Sequence, residues 1–252
     1  MESLILSSSD WKKDFRPHLR YAYQKSSYYL FKSAKAFKLN PSQQEQKVLQ
    51  VLFAVMVFID DKIDSSSSKE DRKEFQDKVI RRILYSQTNN AFPLAIDEMM
   101  TYLLKNIRSN RDRIDLSRTV QAVFTQSERI RKASSAKELF QLTKEEGLLT
   151  SELVLLFIEK STPDFTAFVE DLSKAGDVID TLLDFKRDWK ANIISVKPTF
   201  RNLLVYFFCS LKTCGAFLKH CIRRPKLFLL TGVFFFNWVC RMFRRKFFPK
   251  SL

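Results

Sequence analysis

Apolar positions recur at helical spacing along most of the first 200 residues, and the strict alternation expected of half-buried strands is absent. The stretch from Val48 to Ile59 is apolar on nearly every face, which predicts a buried central helix followed by a loop-like exit, DDKIDSSSS. Amphipathic patterns predict further helices over 19–38, 70–87, 91–109, 115–133, 136–160 and 164–192. The pattern as a whole predicts an all-α bundle of about six to eight helices.

Composition supports this fold class. There are only 4 Gly and 7 Pro in 252 residues, too few turn-forming residues for a many-stranded sandwich or barrel. At 45% hydrophobic residues, the chain is also too apolar for a disordered basic protein. The composition therefore favours a fold of long helices joined by short connections.

The formal net charge of +15 is unevenly distributed. From Trp189 to Leu252 there are 13 Lys and Arg and no Asp or Glu, whereas residues 1–188 hold 30 basic and 28 acidic residues. The same last segment carries 11 of the 24 Phe. We therefore predict a nearly neutral helical domain over 1–200 and a basic, aromatic, membrane-associating tail over 201–252.

Two interpretations of the tail remain open. Residues 203–248 fit a membrane hairpin or an interfacial helix pair on an anionic leaflet. Alternatively, residues 203–222 complete the bundle and only 227–248 meets lipid. The uncharged run at 227–240 has fourteen residues, fewer than the ~20 that a spanning helix needs. Nucleic acid is not an expected partner, because basic patches that follow phosphates are not normally built into Phe-Phe-Phe runs.

The amino terminus and the cysteines contribute to the predicted location. Residues 1–15 lack the basic start and long apolar core of a signal peptide, so the chain is expected on the cytoplasmic face of a membrane. The four cysteines form no CxxC pair and predict ordinary apolar thiols. Oligomeric state is not indicated.

The first aspartate cluster, Asp60, Asp61 and Asp64, ends the most hydrophobic predicted helix. Spacing of four residues puts Asp60 and Asp64 on one helix face. Neither residue has a Lys or Arg three or four positions away, and a helix C-terminus adds partial negative charge. Three acids at this position predict a positive partner from outside the helix.

A second cluster repeats the pattern: Asp180, Asp184 and Asp188 form a stripe with four-residue spacing, and Asp177 lies one turn earlier. Asp180 has no Lys or Arg three or four positions away, and Asp184 has only Arg187. Either the stripes are solvated or paired with other helices, or they converge on a pocket and hold divalent cations. Hard oxygen ligands with incomplete protein coordination suit Mg²⁺.

Four segments, in this order, resemble the squalene/phytoene synthase family of class I isoprenoid synthases. Residues 26–30 (SSYYL) are similar to the family's opening Ser-aromatic segment, and 49–64 (LQVLFAVMVFIDDKID) to the stretch ending in its first DxxxD motif. Residues 138–158 resemble the helix with a small-residue break, here Gly147. Residues 175–193 (AGDVIDTLLDFKRDWKANI) resemble the second aspartate-rich helix.

This resemblance, over about residues 20–200, implies a helical bundle whose two aspartate helices face each other across an apolar cavity. It implies an enzyme in isoprenoid biosynthesis that binds Mg²⁺ and the diphosphate of an allylic prenyl substrate. Mg²⁺ offsets charge on the departing diphosphate as a Lewis acid, and aromatic walls shelter the carbocation. The implied metal ligands are Asp60, Asp61, Asp64, Asp180, Asp184 and Asp188, of which Asp60, Asp64, Asp184 and Asp188 match the catalytic pairs.

The implied substrate-binding residues include Gly147 and the aromatic residues Tyr28, Tyr29 and Phe53, for which core packing is the competing role. The arginine-rich segment that follows the second motif in the family is replaced here by KANIISVKP. Candidate diphosphate contacts are therefore Arg187, Lys190, Arg129 and Arg131. The departures leave two alternatives to condensation of prenyl diphosphates: a terpene cyclase acting on a single prenyl diphosphate, or a non-catalytic membrane scaffold of the same fold.

Overall fold

The computed structural model describes residues 21–66, 68–85, 92–107 and 110–234. Every regular element in this part of the chain is helical and none is a strand, so the all-α prediction is confirmed. The helices are α1 Tyr21–Ala34, α2 Gln43–Asp64, α3 Lys69–Tyr85, α4 Leu94–Lys105, α5 Asn110–Ile130, α6 Ala136–Leu155, α7 Pro163–Lys190, α8 Phe200–Ile222 and α9 225–234. A 3₁₀ turn, Lys35–Phe37, follows α1.

Side-chain caps fix where the helices that carry the aspartates begin. Ser42 and Glu45 form a capping box at the start of α2, in which each side chain accepts a hydrogen bond from the backbone N–H of the other. Thr162 caps α7 by accepting from the Phe165 N–H, and Pro163 occupies the first helical position. Ser135 caps α6 in the same way.

The last turn of α2 corrects one expectation. The segment DDKID was predicted to leave the helix, but α2 continues through Asp64 and ends at Ser65. Ile63 is buried, so this turn is held against the bundle by apolar packing. Ser65 and Ser66 donate their hydroxyls to the Lys62 carbonyl and satisfy the helix end. Asp60 and Asp64 consequently project from regular helix.

The main helix contacts join helices that are neighbours or next-but-one neighbours along the chain. Helix α1 packs on α2, α2 on α4, α3 on α5, α5 on α6, and α6 on α7. One apolar cluster joins α1, α2 and α4 to the first half of α7. A second joins the end of α5 to α6, α7 and α8 around the fully buried Phe185 and Tyr206.

Helix α8 packs along both α6 and α7. Its Tyr206 lies in the second apolar cluster, and His220 contacts Asp171 of α7 at 3.2 Å. The inward side of residues 200–222 thus completes the bundle, while the outward side stays exposed. No described helix has both the length and the hydrophobicity required to cross a bilayer. The remainder of the predicted tail, 235–252, and the predicted N-terminal segment lie outside the described residues.

Candidate functional site

The aspartates of α2 and α7 approach each other at one place in the bundle. Burial, followed by the charges of Asp180 and Asp60, raises the pKa of Asp177 to about 8. Asp60 belongs to α2, whereas Asp177 and Asp180 belong to α7. The two aspartate-rich helices therefore share one electrostatic environment, and the residue of α7 at its centre is Asp177.

Glu146 of α6 completes this group, and the sequence analysis did not predict it. Burial raises the pKa of Glu146 well above its usual range, and the charges of Asp177, Asp60 and Asp64 raise it further. Arg131 opposes that rise. Three helices thus bring acids to one place. We call Asp60, Asp64, Glu146, Asp177 and Asp180 the carboxylate cluster.

Gly147 explains why α6 reaches this position. A Cβ built on Gly147 would lie 2.7 Å from the Lys174 Cα and 2.9 Å from the Ser173 carbonyl oxygen, both backbone atoms of α7. Only glycine permits such a close approach of two helix backbones. Gly147 was predicted to bind substrate at a helix break, yet α6 runs through it without interruption. Its observed contact sets the distance of Glu146 from α7.

Tyr206 of α8 closes the cluster on a further side. It is completely buried, and burial raises its pKa above the ordinary tyrosine value, with Asp177 and Glu146 adding to the rise. Thr143 and Thr181 lie beside the phenol, and their side-chain hydrogen bonds to it oppose the rise.

Arg131, predicted to contact a diphosphate, forms an ion pair with an aspartate. Its Nη2 lies 2.7 Å from Asp64 Oδ1, and its side chain is only 9% exposed. The residue directly follows α5, so the ion pair joins the end of α5 to the end of α2. Arg131 gives the carboxylate cluster a permanent positive charge on one side.

The aspartate pair that matches the family's second motif has its own counter-ion. Arg187 Nη2 lies 2.6 Å from Asp184 Oδ2 and 3.1 Å from Asp188 Oδ1, with the guanidinium more than half exposed. Burial raises the pKa of Asp188 to about 6, although Arg187 opposes the rise. Asp184 and Asp180 raise it as well. This pair thus continues the stripe of the carboxylate cluster toward the end of α7.

Other residues predicted for the site make different contacts. Arg129 is largely exposed; its guanidinium lies 3.4 Å from Glu145 and donates a hydrogen bond to Gln126. Lys190 is exposed, and Tyr28 is about half exposed. The Tyr29 hydroxyl bonds Thr231 at 2.6 Å, and Phe53 is buried in the first apolar cluster. Core packing thus describes the environment of Tyr29 and Phe53.

The described residues hold no group of three or more His, Cys, Asp or Glu side chains arranged to bind a metal ion. Two clefts of about 410 and 350 Å³ both include Lys38 in their lining, but neither is lined by the carboxylate cluster. The residues that sequence reasoning missed, Glu146 and Tyr206, carry no motif that would have revealed them.

No family model, curated protein or solved structure matches this chain. The resemblance to the squalene/phytoene synthase family therefore rests on the sequence motifs alone.

Proposed function

We propose that the protein is a Mg²⁺-dependent transferase acting on allylic prenyl diphosphates. The observation that carries the proposal is the convergence of acids from α2, α6 and α7, with the pKa of Asp177 raised to about 8. Like charges brought together in a partly buried place destabilise the fold. Retaining them is reasonable where a cation occupies the same place during function.

The donor chemistry suits Mg²⁺. Asp60 and Asp64 on one side, and Asp177 with Asp180 on the other, supply only hard oxygen ligands. Mg²⁺ does not need a closed protein cage, because it keeps several waters and accepts phosphate oxygens as ligands. When bound, it would neutralise negative charge on a departing diphosphate. Asp184 and Asp188 would extend the acidic stripe toward the substrate phosphates.

The protein's own groups have separate roles around that cation. Arg131 holds Asp64 by an ion pair at 2.7 Å and fixes where this carboxylate sits. Tyr206 lies buried near Asp177 and Glu146, and burial together with their charges raises its pKa and keeps the phenol protonated there. Phe185 and Val178 are buried next to Tyr206 in the second apolar cluster and keep water from this side.

One observation favours a second candidate, the non-catalytic scaffold. Arg131 and Arg187 already neutralise members of both aspartate motifs within the chain. In a scaffold these ion pairs would be structural contacts between and within helices. Each pair would then stay closed in the presence of Mg²⁺ and a prenyl diphosphate.

The deciding experiment incubates purified full-length protein with Mg²⁺ and farnesyl or geranylgeranyl diphosphate. We expect release of diphosphate and a hydrocarbon product, whose mass distinguishes condensation of two chains from conversion of one. Asp60→Asn and Asp177→Asn are expected to lower the rate by about a hundredfold or more, since each removes a charge that acts in the transition state. Asp77→Asn, an exposed aspartate of α3, is the matched control.

A readout independent of turnover separates metal binding from catalysis. Mg²⁺ at ten times its Kd stabilises the native state by about 1.4 kcal/mol. That stabilisation should appear in urea unfolding of the wild type and disappear in Asp60→Asn. Absence of both the stabilisation and diphosphate release would leave the scaffold as the better description.

A further inference from the structure

Helix α8 has two faces of different character. Its inward face contains the buried residues Tyr206, Ser210, Thr213 and Cys221. Its outward face carries large apolar side chains that are 37–78% exposed. We call this outward set the apolar face: Phe200, Leu204, Phe207, Phe208, Leu211, Leu218 and Ile222.

The apolar face is continuous rather than scattered. At 3.6 residues per turn its seven members fall within an arc of about 100°. Phe228, Leu229 and Val233 of α9 are exposed as well, so residues 200–233 hold ten of the fifteen exposed large hydrophobic side chains in the described part of the chain. Contiguous exposed apolar surface of this kind marks an interaction site.

Cations follow one edge of the apolar face, and α8 itself carries no acid. Arg201, Lys212 and Lys219 are exposed and follow one edge of the face, because their positions are rotated beyond Phe208 around the helix axis. Arg223 and Lys226 add charge at its C-terminal end. The sequence contains no Asp or Glu from Trp189 to Leu252. The complementary surface is therefore anionic as well as apolar.

We propose that α8 lies flat on an anionic lipid bilayer, with its apolar face in the boundary between headgroups and acyl chains. An interfacial helix typically combines this apolar stripe with a basic edge and buries its apolar side by about 5–10 Å. Anionic headgroups neutralise the basic edge. The 23 residues of α8 supply a contact about 35 Å long.

A second copy of the chain fits this surface less well. Two α8 helices packed face to face in antiparallel orientation would bring Arg201, Lys212 and Lys219 of both copies together, and residues 189–252 offer no acid to offset them. Bilayer docking also orients the molecule: Tyr206 lies on the opposite side of the same helix, so the carboxylate cluster would sit about one helix diameter, ~10 Å, above the lipid. The docking does not depend on the proposed catalysis.

A site-specific fluorescence measurement on the full chain tests the proposal. Cys209, Cys214 and Cys240 are replaced by Ser, leaving the buried Cys221, and an environment-sensitive NBD label is attached at Leu211→Cys. The matched control is labelled at Leu183→Cys, an equally exposed position on α7. With vesicles of phosphatidylcholine and phosphatidylglycerol, the label at 211 should shift to the blue, and the label at 183 should not.

Binding affinity provides the second measurement. The double variant Phe208→Ser, Leu211→Ser should bind these vesicles at least about tenfold more weakly, since it removes two large apolar side chains from the lipid contact. Ile114→Ser, Leu183→Ser should bind as the parent does. Replacing Arg201, Lys212 and Lys219 by Gln should weaken binding to the anionic vesicles and remove the preference over pure phosphatidylcholine.

Three outcomes would overturn the proposal. One is failure of the parent to bind vesicles. Another is binding with the 211 label still in water, which would assign the contact to residues 235–252. The third is a variant of Phe208 and Leu211 that changes the oligomeric state in size-exclusion chromatography but not vesicle affinity, which would assign the face to a second copy.

Discussion

Two stretches of α7 carry the same residue type at the same helical spacing, yet they behave differently. Asp177 faces acids from α2 and α6, and its pKa rises to about 8. Asp188, three turns later, shares the exposed Arg187 with Asp184, and its pKa rises only to about 6. The difference lies in the neighbours: other helices supply further acids to Asp177, whereas Asp188 has a cation one residue away. The pKa values of the two aspartates thus follow their tertiary surroundings more than their motif spacing.

The largest change in the free energy of unfolding is expected when α6 is forced away from α7. The same change should remove the environment that raises the pKa of Asp177. Gly147→Ala places a Cβ 2.7 Å from the Lys174 Cα, a backbone atom that cannot move away cheaply. We expect a loss of about 3 kcal/mol in the free energy of unfolding, at the upper end for overpacking. Urea denaturation at pH 7 measures it.

The control for this change lies on the partner helix. Gly176 is exposed on α7, and an added Cβ there would meet nothing within 4 Å. Gly176→Ala should therefore stabilise the protein by about 0.5–1 kcal/mol through helix propensity. If Gly147→Ala behaves like Gly176→Ala, the close approach of α6 and α7 is not what positions Glu146.

The second prediction concerns stability and pH. The pKa of Asp177 is raised in the folded protein from 3.8 to about 8, so the folded state holds a proton that the unfolded state releases. The stability contributed by this proton is complete below about pH 4 and is lost as pH rises through 8. We expect the free energy of unfolding to fall by about 2 kcal/mol or more between pH 5 and pH 8.

Asp177→Asn should flatten that profile, because an amide cannot ionise. Some slope will remain, since the pKa of Glu146 is also raised. Urea denaturation at several pH values between 5 and 8 provides the comparison, with Asp77→Asn as a variant that should retain the parental slope. An unchanged slope in Asp177→Asn would mean that Asp177 is not held among carboxylates.

The sequence was sufficient for the fold class and for the two acidic stripes, because both depend on periodicity within single helices. Asp60 and Asp64 could be placed on one face of α2 from their spacing alone. Which acid of α7 meets Asp60 could not be derived this way. The motif pointed to Asp184 and Asp188, whereas the charge of Asp60 acts on Asp177, and α7 makes its most extensive helix contact with α6.

The contacts of Glu146 and Arg131 could not be derived from the sequence either. Glu146 sits in KEEG, a polar sequence that resembles any exposed helical turn. It enters the cluster only because the neighbouring Gly147 contacts the α7 backbone. Arg131 pairs with Asp64 across 67 positions of sequence. Contacts between distant segments leave no local pattern, so they emerge only when the helices are assembled.

The smallest effect on stability is expected for Asp184 and Asp188 near the C-terminal end of α7, and it tests the difference between Asp188 and Asp177 directly. Asp188→Asn removes one of two carboxylates from Arg187, which is largely exposed, so the free energy of unfolding at pH 7 should change by less than about 1 kcal/mol. Because the pKa of Asp188 is raised from 3.8 to about 6, its contribution falls between those pH values and is nearly constant above them. Urea denaturation of Asp188→Asn should therefore retain the parental slope between pH 7 and pH 8, where Asp177→Asn flattens it. Equal flattening by the two variants would show that α7 presents one uniform acidic stripe, in which case Asp177 would have no privileged place among the candidate metal ligands.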